Sequence, residues 1–357
     1  MLNKNNLNII LIITVVVGFL AGVVGELAVN SFLLPDPYLT FKSYNDLSKR
    51  IDDLMGNSSG NDFTAIDKLV AQAVAKAKNA NFAIYRSKKL GVSYKDSLQD
   101  ADYLGQAVAI TSDGWLLASG QYAYGSFFAV DNEGAVYAVE KTQREKRANL
   151  TFLKIKAGNL AVVEFVRKAE LTPGQTVFLI NKNNSFSMNN LSDLYYSVDK
   201  DNLLRDSEEF YKYYELSAKT EKEQANNPIF DLNGRLVAFN MAEGVAIPCD
   251  YFLSTMKSLN SLNEFVWPNL GIKYYDLSEV LNPVTKEKKG AYVVSVIAAS
   301  SASNALFSGD IIKSVERDEI SKERTLSEII SQYKVGETLR FAVLRDEKEI
   351  TVEVKLK

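Results

Sequence analysis

Short apolar runs that recur about every ten residues constrain the fold of this chain more than any other feature of its sequence. Between Gly105 and Asn183 the runs are GQAVAITSDGWLLASG, SFFAVDNEGAVYAVEK, NLTFLKIKAGNLAVVEF and GQTVFLINKN. Each run is rich in β-branched and aromatic residues, and turn residues such as the glycines of SDGW and NEGA interrupt the runs. This spacing is typical of an antiparallel barrel or sandwich, so we predict a mainly β protein.

The C-terminal part of the chain has a different pattern. From Trp267 to Lys357 it contains the strand-like segments AYVVSVI, DIIKSV, TLRFAVLRD and EITVEVKL and one helical segment, TLSEIISQY. Several strands with one short helix predict a separate, compact α+β domain. A helical pattern, DYFLSTMKSLNSL, ends the preceding β-rich region near Leu262.

An aliphatic run, residues 9–25, lies near the start of the chain, and no charged residue occurs between Asn5 and Gly25. Its length is close to the ~20 residues that cross a bilayer as a helix. Lys4 precedes the run and Glu26 follows it, so the positive-inside rule predicts a cytoplasmic N-terminus and an extracytoplasmic bulk. A cleaved signal peptide is the alternative. We predict a single-pass anchor in the cell membrane.

The sequence has no histidine and one cysteine, Cys249, and its net charge is −3. Histidine is the usual general base for a serine or cysteine nucleophile and the most common zinc ligand. A Ser-His-Asp, Cys-His or His-zinc site made by this chain alone is therefore excluded. Cys249 follows an apolar strand and is predicted to be a buried structural thiol. We expect no metal, no cofactor and no nucleic-acid partner.

Three segments carry a more specific pattern: GQAVAITSDGWLLASGQ, NLTFLK and EQANNPIFDLNG, in that order along the chain. Together they resemble the segments around the catalytic histidine, aspartate and serine of the HtrA family, which joins a trypsin-like protease domain to a C-terminal PDZ domain. The resemblance implies a trypsin-like double β-barrel followed by a PDZ-like α+β domain. On this alignment Gln121 stands at the histidine position, Asn149 at the aspartate position and Ala225 at the serine position.

None of these three side chains can perform the triad's chemistry, and the turn that forms the oxyanion hole in the family is altered to Glu223, Asn226 and Asn227. The resemblance therefore predicts a pseudoprotease, not an enzyme, that binds partners as a scaffold, regulator or chaperone in protein quality control. One alternative is an active endopeptidase with a non-standard nucleophile, for which Ser217 and Lys219 are candidates. Another is a structural subunit assembled with an active relative. The resemblance implies a homo-trimer or a hetero-oligomer with such a relative.

The segment PNLGIKYYDL resembles the loop by which PDZ domains hold a peptide's terminal carboxylate. The predicted donors are the backbone amides of Leu270, Gly271 and Ile272, and the predicted partners are peptides or protein C-termini. Candidate walls of the peptide groove lie on the helix TLSEIISQY: Thr325, Leu326, Ile329 and Ile330. The alternative is a PDZ fold that only packs against the barrels.

These patterns divide the chain into four predicted regions. Residues 35–62 are polar and include the Gly/Ser/Asn-rich MGNSSGNDF, which is typical of a flexible linker. The predicted boundaries are 1–34 for the cytoplasmic tip and transmembrane anchor, 35–62 for the linker, 63–262 for the trypsin-like domain and 263–357 for the PDZ-like domain.

Overall fold

The computed structural model describes residues 64–86, 98–120, 122, 126–182, 184–198, 202–256, 265, 267–280 and 286–357. The predicted anchor, the predicted linker and Gln121 lie outside these residues. No helix in the described part of the chain is long and apolar enough to cross a bilayer. The chain divides into two units, residues 1–68 and 69–357, and the sheets of the described residues belong to the second.

The first barrel is a closed antiparallel sheet with the strand order β1-β2-β3-β6-β5-β4. Alternation along β1 sends Phe82 and Ile84 into the barrel interior, where they pack with Leu116 and Leu153. The strands are β1 (Asn81–Arg86), β2 (Tyr103–Ala109), β3 (Trp115–Ser119), β4 (Phe127–Val130), β5 (Val136–Glu145) and β6 (Leu150–Ile155).

The second barrel is closed in the order β10-β13-β12-β11-β7-β8. The turn between β11 and β12 is tight because Gly234 adopts a φ of 71°. The Asp231 side chain also accepts hydrogen bonds from the main-chain amides of Asn233 and Arg235. One strand of this region, β9, lies outside the barrel. The strands are β7 (Thr176–Ile180), β8 (Phe186–Ser197), β9 (Leu204–Asp206), β10 (Lys212–Leu216), β11 (Pro228–Asp231), β12 (Leu236–Ala242) and β13 (Val245–Pro248).

The C-terminal sheet has the order β19-β18-β16-β15-β14-β9, with β17 paired to β16. Its outermost strand next to β14 therefore comes from the connection between β8 and β10 of the second barrel. The other strands are β14 (Ile272–Asp276), β15 (Ala291–Val296), β16 (Ile311–Val315), β17 (Asp318–Glu319), β18 (Thr338–Arg345) and β19 (Lys348–Lys355).

Three α-helices accompany the described sheets: α1 (Thr64–Asn79), α2 (Asp250–Met256) and α3 (Leu326–Ile330). The α1 residues Ala73, Val74 and Ala77 are buried in a cluster that also contains Phe152 of the first barrel and Phe239 of the second. This cluster joins the two barrels into one body. The prediction of a mainly β protein is confirmed.

Candidate functional site

The segments that resemble those around the triad of the HtrA family lie next to one another. The Gly120 amide donates to the Asn149 carbonyl (2.8 Å), which joins the end of β3 to the residue before β6. Ser119 Oγ donates to Asn226 Oδ1 (3.1 Å), which joins β3 to the turn before β11. The structure thus brings Asn149 and the 225–227 turn to the edge of the first barrel, although these residues are far apart in sequence.

Asn149 lies in a turn that a buried carboxylate shapes. Both Glu145 oxygens accept main-chain amides, Oε1 from Arg147 (2.9 Å) and Oε2 from Ala148 (2.6 Å). Burial raises the pKa of the Glu145 carboxyl, while these two hydrogen bonds oppose the increase. Asn149 itself has a φ of 53°, a left-handed conformation that asparagine tolerates better than most residues.

Main-chain hydrogen bonds, one of them to β12, close the turn around Ala225. Ala225 follows the 3₁₀-helix Lys222–Gln224, and its amide donates to the Lys222 carbonyl (3.1 Å). The Asn226 amide donates to the Asn240 carbonyl (2.7 Å), and the Asn227 amide donates to the Gln224 carbonyl (3.2 Å). All three main-chain donors of this turn therefore face protein carbonyls in the structure. An oxyanion would have to displace one of these contacts to use the same donors.

Asn240, on β12, holds this turn in place, and sequence reasoning missed it. Its side chain is fully buried, and its Nδ2 donates to the Gln224 carbonyl (2.8 Å) and to Thr220 Oγ1 (3.1 Å). The available signal is a polar residue inside the apolar strand LVAFNMA. Asn227 is also buried, and neither of its side-chain polar atoms has a hydrogen-bond partner among the described residues.

Ser217 and Lys219, the alternative nucleophile and base, do not interact. Ser217 Oγ donates to Asn189 Oδ1 (3.1 Å), and Lys219 Nζ forms an exposed ion pair with Glu243 (3.2 Å). Lys219 Nζ therefore faces Glu243 and is not placed to take a proton from Ser217. The structure gives no support to this pair as a catalytic centre.

The predicted carboxylate loop does hold a carboxylate, from within the chain. The amides of Leu270 and Gly271 donate to one oxygen of Glu208, at 2.8 and 3.0 Å. The third predicted donor, the Ile272 amide, donates instead to Ser207 Oγ (3.0 Å). Gly271 adopts a φ of 78°, which turns the two amides toward the same point. Sequence reasoning missed Ser207 and Glu208 because nothing in their local pattern distinguishes them from a solvated loop.

The four predicted wall residues of the groove are all buried. Thr325 is the N-cap of α3 and accepts the Glu328 amide, and Leu326, Ile329 and Ile330 have no exposed surface. Leu326, Ile329 and Ile330 belong to a hydrophobic cluster that includes Tyr211, which lies shortly after β9 in the chain. Part of the chain between β8 and β10 thus packs into the same core as the predicted walls.

Comparison with known proteins identifies the C-terminal module: residues 268–356 match the family model described as "PDZ domain". A relative named "Probable periplasmic serine endoprotease DegP-like", from Marinomonas sp. (strain MWYL1), is 25% identical over 268 residues, covering 71% of this chain and 56% of the relative. "Periplasmic serine endoprotease DegP" of Escherichia coli (strain K12) is 21% identical over 270 residues, with the same two coverages. The chain thus spans about half the length of the curated relatives it matches.

Solved structures show the same fold. "HtrA-type protease AlgW with tripeptide" superposes with a TM-score of 0.63 at 18% identity, covering 80% of this chain and 96% of that one. "HtrA-type protease AlgW with decapeptide" gives a TM-score of 0.60 at 17% identity, with coverages of 82% and 98%. The predicted trypsin-like double β-barrel followed by a PDZ domain is confirmed as the fold of the described residues.

The prediction that this chain is not an enzyme is contradicted by the comparisons. The curated relatives that it matches are named serine endoproteases, and the structures with the same fold are HtrA-type proteases. That prediction rested on the side chains at three aligned positions, one of which, Gln121, lies outside the described residues.

Proposed function

We propose that this chain is an HtrA-type protein of the serine endoprotease class that binds the C-terminal ends of peptides or partner proteins through its PDZ domain, outside the cytoplasm. One observation carries the binding function: the amides of Leu270 and Gly271 converge on a single carboxylate oxygen. A peptide's terminal carboxylate presents the same group. Hydrogen bonds to charged groups contribute about 1.5–3 kcal/mol each. Two AlgW structures with this fold are complexes with a tripeptide and a decapeptide.

Binding can be tested with a library of peptides that end in apolar residues. Because Glu208 occupies the same amides, the library is offered to the full chain and, in parallel, to its Glu208→Ala variant. We expect binding that weakens about tenfold or more when the peptide terminus is amidated, since loss of one charge-assisted hydrogen bond is of that size. Equal affinity for free and amidated peptides, or no binding to either protein, refutes the carboxylate-binding function.

For the barrels we propose serine endoproteolysis, the activity that the relatives' names state. Ala225 has no hydroxyl group and the sequence has no histidine, so this activity requires a nucleophile and a base at other positions. The test combines digestion of unfolded casein with fluorophosphonate labelling, followed by mass spectrometry to locate the labelled serine. Absence of both cleavage and labelling would refute this part of the proposal while leaving peptide binding intact.

Two further properties belong to the proposal. Residues 9–25 form a membrane anchor, which predicts that the full chain stays in the membrane fraction after alkaline carbonate extraction. The chain assembles as a homo-trimer or with an active relative, which predicts a mass by native mass spectrometry larger than that of one copy. Carbonate-soluble protein would refute the anchor, and a monomer that binds no relative would refute the assembly.

A further inference from the structure

The edge of β14 next to the carboxylate loop is covered by a strand from outside the PDZ domain. β9 runs antiparallel to β14, with Asp206 opposite Lys273 and Leu204 opposite Tyr275. The pairing continues one step further, since the Ser207 amide donates to the Ile272 carbonyl (3.1 Å). Addition of an antiparallel strand to an open sheet edge is the way in which PDZ domains take up extended peptides.

The segment that follows β9 places a carboxylate where a peptide would place its terminus. The chain runs along β14 toward the loop, and Glu208, two residues after β9, accepts the amides of Leu270 and Gly271. Residues 204–208 therefore present an extended strand and then a carboxylate, in the order in which a C-terminal peptide presents them. This arrangement is more specific than a strand contact alone.

Buried charges hold the segment in position. Arg205 Nη2 pairs with Glu279 (2.8 Å), and Lys212 pairs with the other oxygen of the same carboxylate. Only 5% of the Arg205 side chain, 2% of Lys212 and 11% of Glu279 are exposed. Tyr211 Oη donates to the buried Asp276 at the end of β14 (2.7 Å). These contacts fix the chain on both sides of Glu208 to the sheet.

The same segment contacts the turn before Asn149. Arg147 Nε donates to the Glu208 carbonyl (2.5 Å), and its Nη2 lies 3.5 Å from the Ser207 carbonyl. The Arg147 amide in turn donates to Glu145, the carboxylate that shapes this turn. A continuous set of hydrogen bonds thus runs from the carboxylate loop to the edge of the candidate catalytic site.

From this geometry we propose that residues 204–208 are an internal ligand of the PDZ groove, which a C-terminal peptide must displace in order to bind. The proposal rests on the peptide-binding function proposed above and adds its regulation. Displacement removes the acceptors of Arg147, so peptide binding loosens the turn before Asn149. Residues 204–208, which lie between β8 and β10, thereby link peptide binding at the PDZ domain to the conformation of the turn before Asn149.

The contact of Glu208 with the loop is one that a competitor can replace. Burial raises the pKa of the Glu208 carboxyl, and the hydrogen bond with Asp206 raises it further, while the Gly271 amide lowers it. Burial and the neighbouring carboxyl thus disfavour the charged form of Glu208. A peptide carboxylate that binds the loop without an adjacent acidic group avoids the second of these penalties. The internal ligand has the opposite advantage of being tethered, which acts as a high local concentration.

The test uses the full chain and a fluorescein-labelled hexapeptide that ends in valine, read by fluorescence anisotropy. Glu208→Ala is expected to bind this peptide about tenfold or more tightly than the natural chain, because its loop amides are free. Glu209→Ala is the matched control: it makes the same change of charge at the next residue, whose side chain is exposed. We expect its affinity to equal that of the natural chain.

A second variant locks the segment instead of releasing it. Leu204 and Tyr275 are directly opposite each other in the pairing of β9 with β14. Their side chains therefore project to the same face of the two strands. The double variant Leu204→Cys/Tyr275→Cys is expected to lose peptide binding when oxidised and to regain it on reduction. The natural Cys249 is fully buried and does not compete for pairing.

The outcomes separate the inference from the function on which it rests. If all variants bind the peptide equally and amidation weakens binding, the peptide function holds and the internal ligand is refuted. If no variant binds any peptide, the peptide function is refuted. The internal ligand is then tested by the rate of amide hydrogen exchange in residues 267–276. Faster exchange in Glu208→Ala than in Glu209→Ala supports the internal ligand, and equal exchange overturns it.

Discussion

Replacement of Gly271 by alanine tests whether the carboxylate loop depends on one glycine. A Cβ at this position would lie 2.2 Å from Ser300 Cβ and 2.7 Å from Ser300 Oγ, and the residue has a φ of 78°. Gly309 offers a matched control in the same domain, since its φ is 94° but a Cβ there would meet no atom within 4 Å. The two substitutions therefore share the backbone penalty and differ in the steric clash.

The magnitudes follow from these two terms. A left-handed conformation costs an L-residue about 1–2 kcal/mol, and forcing a methyl group into a packed site costs typically about 1–3 kcal/mol. Ser300 is 9% exposed and its amide donates to the Ile297 carbonyl, so it cannot move away freely. We expect the free energy of unfolding to fall by about 2–5 kcal/mol for Gly271→Ala and by about 1–2 kcal/mol for Gly309→Ala.

Urea unfolding measures this difference. Trp267 lies at the start of the PDZ domain, so in a Trp115→Phe background tryptophan fluorescence reports on that domain, and circular dichroism follows the whole chain. The comparison is valid where both variants keep the same m-value as the natural protein. Equal midpoints for the two variants would refute the steric argument. The double variant Gly271→Ala/Ser300→Gly is expected to recover part of the loss, because it removes the two atoms nearest to the new Cβ and leaves Asn269 Oδ1 at 3.1 Å.

Three other outcomes are expected. Glu279→Gln should lower the free energy of unfolding by about 3–5 kcal/mol, more than Lys212→Met, because it leaves both Lys212 and Arg205 buried without their carboxylate; urea midpoints in the reverse order would contradict this reading. Ala225→Ser should leave casein cleavage at the rate of the natural chain, because the sequence has no histidine to take the new hydroxyl's proton, and a rise of about tenfold would show that the site is misassigned. Cys249 should react with Ellman's reagent only after urea unfolding, because it is fully buried and burial raises the pKa of its thiol; rapid reaction of the native protein would disprove this.

The parts of the fold that local sequence patterns describe could be predicted. The alternation of apolar and polar residues in AYVVSVI and TLRFAVLRD predicts β15 and β18. The turn DLNG, which begins at Asp231, predicts the hairpin of β11 and β12. These features depend on residues close together in sequence, and the physical rules that govern them are local. The placement of Asn149 and the 225–227 turn beside the same end of β3 could be expected only from the family resemblance, because no local rule brings these segments together.

The internal ligand could not be predicted in the same way. Residues 204–208 read Leu-Arg-Asp-Ser-Glu, with no strand period and no apolar face, and β9 becomes a strand only because β14 offers it an edge. Pairing partners such as Asp206 and Lys273 are distant in sequence, so the pairing depends on how the domains pack. Lys212 reads as a solvated residue, and only the structure shows that it is buried against Glu279.

β19, at one end of the C-terminal sheet, and β14, which β9 covers at the other end, are protected from pairing with other chains in different ways. On β19 the residues Lys348, Glu349, Glu353 and Lys355 are exposed, and such charges discourage the pairing of that edge with another strand. The β14 edge is Ile-Lys-Tyr-Tyr-Asp, with a single exposed charge, and β9 covers it. A chain whose β9 has left without a replacement would therefore present an unpaired, aromatic strand. We expect Glu208→Ala to self-associate at high protein concentration, and a bound peptide to suppress this association.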